Sequence, residues 1–508
     1  MTESAATPAS ASPRPSAEVR RLRRQMREWR RGRADTTLMQ VLSDAYIAVF
    51  TTVMIGATAI SAIIQTRVSI SSGCTTGSCP DSRHALGWVS GLAVVAVVLA
   101  ASRAVGPLLM SPAAGSWILS TPLDRGPLLR PRLLAAGALA AGSSAVLSTV
   151  ALVLAGFSAD SATAYVIVVA AAASCAVMSS AICQPRKGHA VRGVTWLLGG
   201  ATWLGLVAIA TGMVPSVSTT ATVGGFGIAG VLISVVSWLI ALGLTTKAVR
   251  SLRRIHRDQL TPGGSLLASL SGALASLDLS LMYDILVARR WLTKATVRSV
   301  RGGPTGAWAL VWRDVIRLRR SASTLVVVAS ALVVPYVVVV LDLGRLILLV
   351  GAMTAFFTGV SLFSALRTTS RNPGLVRCFP MSAAAVRAAC LVVPGTVLVL
   401  WALVAMPAVH SSMDPISWSD TLQVSLAMGM AGVGSVARWL LAAPPDYSSP
   451  LVSSPAGGIP TGLIGSVLRG FDVLALLTAP ILIAPSSLGA AISLALAAIV
   501  LTVLVGRK

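Results

Sequence analysis

Long apolar runs recur along the whole chain, and they constrain it more than any other feature. A membrane span needs about 20 mostly apolar residues to cross roughly 30 Å of hydrocarbon. Runs of that kind lie at about 45–65, 87–110, 133–156, 162–183, 194–214 and 224–246. A second set lies near 323–341, 345–366, 388–408, 421–442, 471–485 and 487–506, the eleventh being short enough for a re-entrant segment. Lipid offers backbone groups no hydrogen-bond partners, so such runs must be helices, which satisfy their own. Only 11% of the 508 residues are charged, against about a quarter in an ordinary soluble domain. The expected fold is therefore an all-α integral membrane protein with about twelve transmembrane helices in two parallel six-helix repeats.

The few charges sort by side. The net charge of +24 would suit a nucleic-acid binder, but the basic residues are spread over many loops rather than one face. Alternate loops hold Arg125, Arg130, Arg132, Arg186, Lys187 and Arg192, then the stretch from Lys247 to Arg320, then Arg367, Arg371, Arg377 and Arg387. The opposite loops hold only Arg67, Arg83 and Arg345, together with Asp81, Asp160, Asp342, Asp414 and Asp420. Basic loops stay in the cytoplasm, so both termini are expected there, with the protein in the cell membrane.

Residues 1–17, rich in small polar residues and proline, read as a disordered arm. They contain no apolar h-region, so the first span is expected to act as the insertion signal. Residues 18–36 form a basic amphipathic segment. Val19, Leu22, Met26 and Trp29 share one helical face and seven arginines cover the rest, which suits a helix lying on an anionic leaflet. The first six-span repeat is placed at 37–250 and a cytoplasmic amphipathic linker at 251–300. Residues 301–508 hold a second elbow-like segment and the second repeat. In the linker, Leu266, Leu270, Leu274, Leu277 and Leu281 make a helical stripe expected to pack on the bilayer or on other helices.

The halves repeat an order of parts. Each opens with a basic, tryptophan-containing amphipathic segment, around Trp29 and around Trp312, followed by two spans. A short loop follows, WILSTPLDRGPLLRPRL at 117–133 and LVRCFPMSAAAVRAACL at 375–391. Pro122 corresponds to Pro380. An Arg-Gly pair leads into each fifth span, Arg192-Gly193 and Arg469-Gly470. Since both halves keep one orientation, the repeat is parallel, about an axis along the membrane normal.

A basic elbow, two spans, a proline-containing loop and four more spans resemble one permease unit of the ATP-binding cassette exporters. Two fused units resemble the twelve-span exporter permeases of actinobacteria, antibiotic exporters among them. In that group the loop between the second and third spans carries a Pro-x-Ser-like motif and docks as a coupling helix on the ATPase. The resemblance therefore implies coupling roles for Pro122, Asp124, Arg125 and Arg130 in the first loop. Phe379, Pro380, Ser382 and Arg387 take the same roles in the second. Asp124 stands where serine would be expected. The resemblance also implies a separate nucleotide-binding subunit, acting as a dimer, and a small-molecule, peptide or lipid cargo.

No G-x-x-x-x-G-K-[ST] phosphate loop occurs, and none of the four lysines (Lys187, Lys247, Lys294, Lys508) follows one. The chain is therefore not expected to be an enzyme or to carry a cofactor, ATP being bound by the partner. One rival is an ion-coupled carrier of the major facilitator type, whose loop signature includes an Asp-Arg pair like Asp124-Arg125. Against it, such carriers keep ionisable residues at mid-membrane, whereas Asp44 and Asp472 lie at span ends and Asp472 could pair with Arg469. A non-transport scaffold is the other rival. His84, His189, His256 and His410 read as scattered loop residues, with no metalloprotease spacing. Cys74 and Cys79, in an outer loop, could form a disulfide or remain two thiols. Cys175, Cys183, Cys378 and Cys390 read as small packing residues. The Pro/Gly/Ser-rich stretch 444–462 reads as a flexible connector or a second ATPase contact.

Overall fold

The computed structural model describes residues 79–506 except 111, 118–124, 158, 185–188, 214–227, 256, 276–278, 293–301, 414–415, 443–447, 449, 455–456, 461–465 and 467, together with scattered positions between 21 and 65. The arm, Cys74, Pro122 and Asp124 lie outside the described residues, as do most of the basic segment 18–36 and of the expected first span.

Among the described residues, the first half contains α1 (Cys79–Val105), α2 (Pro112–Trp117), α3 (Arg125–Ala155), α4 (Ala159–Cys183), α5 (His189–Ala210) and α6 (Ile228–Ser251). The linker holds a 3-10 turn (Leu252–Arg254), α7 (Arg257–Ala275) and α8 (Leu279–Leu292). Then come α9 (Ala307–Arg320), α10 (Ala322–Ser330), α11 (Val333–Val340), α12 (Leu346–Leu362), α13 (Ser364–Arg371) and α14 (Pro373–Arg377). The second half closes with α15 (Ala383–Val404), α16 (Met406–Ser411), α17 (Trp418–Leu440), a hairpin of β1 (Leu451–Ser454) and β2 (Gly457–Pro460), α18 (Phe471–Ile483) and α19 (Ser487–Gly506).

Among the described residues, eight helical segments are long and apolar enough to cross a membrane, or nine if the bent pair α12–α13 counts as one. The described residues are thus helical apart from one hairpin, as in a multi-pass membrane protein, and they show fewer clear spans than the apolar runs suggest. The physical reasons differ by site. α17 fills the tenth position, but Gln423, Arg438 and its glycines and serines lower its hydropathy. α18, at 13 residues, is too short to cross unbent. α12 breaks at Phe363 and turns through 63° into the polar α13. α1 begins earlier than its apolar run, so Asp81, Arg83 and His84 lie on its first turns rather than in a loop. His189 and His410 also lie on helices. The stretch 444–462, expected to be a flexible connector, contains the antiparallel hairpin, Leu451 opposite Pro460 and Ser454 opposite Gly457.

In the first half, α4 lies at the centre and packs on α1, α3 and α6, while α1 also packs along α5. Away from the basic loops, Trp88 meets Tyr165 edge-on at 4.5 Å, and the Tyr165 hydroxyl donates to the Trp88 carbonyl at 2.8 Å. Arg83 donates to the Leu154 carbonyl at 3.0 Å, closing the end of α3.

In the second half α17 holds the central place, packed on α12, α15, α18 and α19. Its sequence explains this. In MGMAGVG, Gly429 faces Ala402 of α15, Gly432 faces Ala355 of α12 and Gly434 faces Leu477 of α18, each with no room for a Cβ. Small residues let helix backbones approach closely where lipid supplies no hydrophobic drive between helices. Fourteen of its 23 residues are buried, so its polar groups are shielded from lipid. The halves touch where α5 packs on α11. Ile209, Val333 and Val337 are buried there, and Trp203 Nε1 donates to the Ser330 carbonyl at 3.1 Å.

Candidate functional site

The helix directions bring most of the described basic residues, though not Arg83 or Arg345, to one end of the bundle, and there the linker joins the two halves. α7 lies on the turn after α1. The Met110 amide donates to the Leu260 carbonyl at 3.4 Å, and Gln184 Nε2 donates to the Gln259 carbonyl at 2.9 Å. Leu260 and Leu266 are buried. Gly263 and Gly264 sit against the Val105 and Met110 carbonyl oxygens, where a Cβ would overlap them. The Thr-Pro-Gly-Gly sequence of α7, unpromising for a helix, is what permits this approach.

α8 docks on the second half. Asp284 pairs with Arg367 and, at 3.5 Å, with Arg371 of α13. The Arg367 guanidinium also lies 4.6 Å from the Tyr283 ring centroid, and Tyr283 packs edge-on against Trp439 at 5.7 Å. α7 and α8 pack on each other, with Arg289 donating to the Pro262 carbonyl at 3.4 Å. The linker is thus a crosspiece of two helices, one seated on each half. The leucine stripe read from the sequence does not share one environment: Leu266, on α7, is buried, Leu270 half-buried and Leu281, on α8, exposed, while Leu277 lies outside the described residues. Asp284, Arg367 and the glycine pair had no motif to flag them. An unusual Gly-Gly inside a helical pattern was the available signal.

The elbow-like segment around Trp312 forms α9, burying Leu310, Asp314 and Leu318 against α15 and its neighbours while Trp308 and Trp312 stay exposed. Asp314 is 0% exposed. Its nearest cation is Arg317 at 3.8 Å, too far for a hydrogen bond, and neither carboxylate oxygen finds a donor. Burial pushes the Asp314 carboxyl above the usual carboxylate range, partly offset by Arg317 and Arg313. Burial also lowers the Arg317 guanidinium, which donates to the Leu362 carbonyl.

The second predicted coupling loop is well formed. Ser382 caps α15, its hydroxyl accepting from the Ala385 amide at 3.2 Å. Phe379 and Met381 pack around Leu310, Val386 and Ala389. Met381 and Val386 stand at the positions of a hydrophobic staple, so Pro380-Met381-Ser382 has a local role in starting the helix. Arg387 donates to the Val505 carbonyl at 3.2 Å. In the first loop, Arg125 opens α3 and donates to the Ile255 carbonyl at 3.0 Å. Arg130 is exposed and lines a cleft of about 910 Å³ with Pro127, Leu134, Val249, Arg250 and Arg253. Among the described residues, Arg125 and Arg130 belong to α3 of the first half, and Phe379, Ser382 and Arg387 pack within the second half. Asp472 is held by Arg438 at 3.2 Å and accepts from the Gly470 and Val473 amides. Cys390 is buried and Cys378 exposed, so the packing role expected of both suits Cys390 better. No group of three His, Cys, Asp or Glu side chains that could hold a metal occurs among the described residues.

The fold and its basic end define a multi-pass helical membrane protein whose two halves are joined by a docked crosspiece. The chain belongs to a family of unknown function (DUF6297), whose model matches residues 79–450. That match runs from the start of α1 through both linker helices and past α17, ending just before β1. No curated protein matches the chain.

Proposed function

We propose that the chain is the membrane permease of an ATP-driven exporter, forming the translocation path between two six-span halves and coupling to a separate nucleotide-binding subunit. The observation that carries this reading is the shared packing order. In each half the helix in fourth-span position lies at the centre, touching the second, third and sixth, while the second also packs on the fifth. Twelve crossings follow if the first apolar run, the bent α12–α13, the shielded α17 and the short α18 are counted. The basic end then faces the cytoplasm of a cell with both termini on that side.

Two further features support an external energy source. The Asp, His, Lys and Arg residues of the described spans lie near helix ends, and no carboxylate lies at mid-span among the described residues. The arginine-lined cleft beside α3 and the capped loop before α15 both open at the basic end, where an acidic groove of an ATPase would meet them. Arg125 and Arg387 already hold carbonyls of their own chain, so charge reversal there would disturb the fold. Exposed Arg130 and Arg377 report docking more cleanly. The test is affinity purification from native membranes in mild detergent with identification of co-eluting subunits. A stoichiometric nucleotide-binding subunit, lost on Arg130→Glu plus Arg377→Glu, is the expected result. A chain that stays alone after cross-linking would sink the reading and favour an ion-coupled carrier or a scaffold.

A further inference from the structure

α1 and α5 run antiparallel and pack through Leu99, Val191 and Leu198. Beside that contact they diverge into a groove of about 450 Å³. Its floor is made of small residues, Ala96, Ala100 and Gly199, and its walls include Val97 and Trp196, 64% and 68% exposed. A Cβ at Gly199 would meet nothing within 4 Å, so the groove is open at that position. Arg103, in the last turn of α1, and Arg192, in the first turn of α5, line the same groove at its basic end. Thr195 turns its hydroxyl back to the Val191 carbonyl at 2.7 Å, and no carboxylate lines the groove. Polarity therefore runs from two guanidiniums at the membrane surface to an apolar channel within it.

We infer that this groove holds one anionic phospholipid, its phosphate between Arg103 and Arg192 and an acyl chain along Ala100, Val97 and Gly199. Guanidinium forks match phosphate oxygens in geometry and charge, and both arginines line the same end of the groove. Trp196 stands at the level where indoles favour the membrane interface. A zwitterionic lipid carries its own ammonium beside the phosphate and gains less. A soluble phosphate would leave the apolar channel unfilled. The site does not depend on the transport reading, since it needs only a membrane-embedded bundle.

The test is native mass spectrometry of the delipidated full-length protein, titrated with phosphatidylglycerol, phosphatidylcholine or glycerol phosphate. One phosphatidylglycerol should bind at least about tenfold more tightly than either competitor, the scale of one lost charge-assisted hydrogen bond. Arg103→Gln with Arg192→Gln should weaken it about tenfold or more. Gly199→Leu, which fills the groove without touching the arginines, should also expel the lipid. Gly142→Leu, at another open position, should not. Unchanged phosphatidylglycerol binding in the arginine pair or in Gly199→Leu would overturn the assignment, as would equal binding of phosphatidylcholine or glycerol phosphate.

Discussion

Replacing Gly264 with alanine should detach the linker from the first half, and the size of the effect follows from its surroundings. A Cβ there would overlap the Met110 carbonyl oxygen, which belongs to a backbone turn rather than to a side chain that could swing away. To restore contact distance, α7 must retreat by on the order of 1 Å. The Met110–Leu260 and Gln184–Gln259 hydrogen bonds would stretch or break, each worth about 1 kcal/mol. Leu260, 0% exposed, and Leu266, 5% exposed, would lose part of a burial worth about 1.5–3 kcal/mol apiece. A total near 3 kcal/mol, roughly a hundredfold in the opening equilibrium, is expected for α7. Hydrogen exchange of peptides from 257–275, measured in lipid nanodiscs, reads this directly, with α17 peptides as the unaffected reference. Gly272→Ala is the control. Its Cβ meets nothing within 4 Å, so it should stabilise α7 by roughly 0.5–1 kcal/mol. If Gly264→Ala exchanges as slowly as Gly272→Ala, the close docking of α7 is not what holds the linker.

Three more outcomes follow from the second half. Gly432→Val should force α12 away from α17, because a Cβ already falls 2.6 Å from Ala355 Cβ. Overpacking of this kind costs about 1–3 kcal/mol or more, and a lowered detergent melting temperature would register it. Ser382→Ala should cost about 1 kcal/mol through the lost cap and Ser382→Asp should recover it; a variant that keeps its melting temperature but loses an ATPase partner would point to docking instead. Asp314, whose folded-state carboxyl is raised by burial, contributes stability that is full below its unfolded pKa and is lost as pH rises through the folded value. Melting temperature should therefore fall from the ordinary carboxylate range upward, and Asp314→Asn should flatten that slope. An identical slope in the variant would show that Asp314 does not titrate with folding.

Much of this protein was legible in the one-dimensional pattern. Apolar run length dictates helices in a membrane, because the backbone has no alternative partner there. Arginine placement fixes which helix ends lie together, since loops alternate sides. The amphipathic segment around Trp312 became α9 because its apolar residues recur at helical spacing. Even the glycines of α17 could be read as packing positions, though not which neighbour each one admits.

Tertiary structure decided the rest, for reasons that run length does not contain. The polar composition of α17 is tolerable because four other helices shield it, and hydropathy averages a residue's chemistry without its neighbours. The linker's leucine stripe predicted one surface, but α7 docks on the first half and α8 on the second, so Leu266 is buried while Leu281 is exposed. Arg125 and Arg387 read as free contact points by residue type, yet each is committed to a carbonyl over a hundred positions away in sequence. The crosspiece, the buried Asp314 and the groove between α1 and α5 all arise where segments distant in sequence converge. A sequence specifies those side chains, but only the packed fold determines whether they meet.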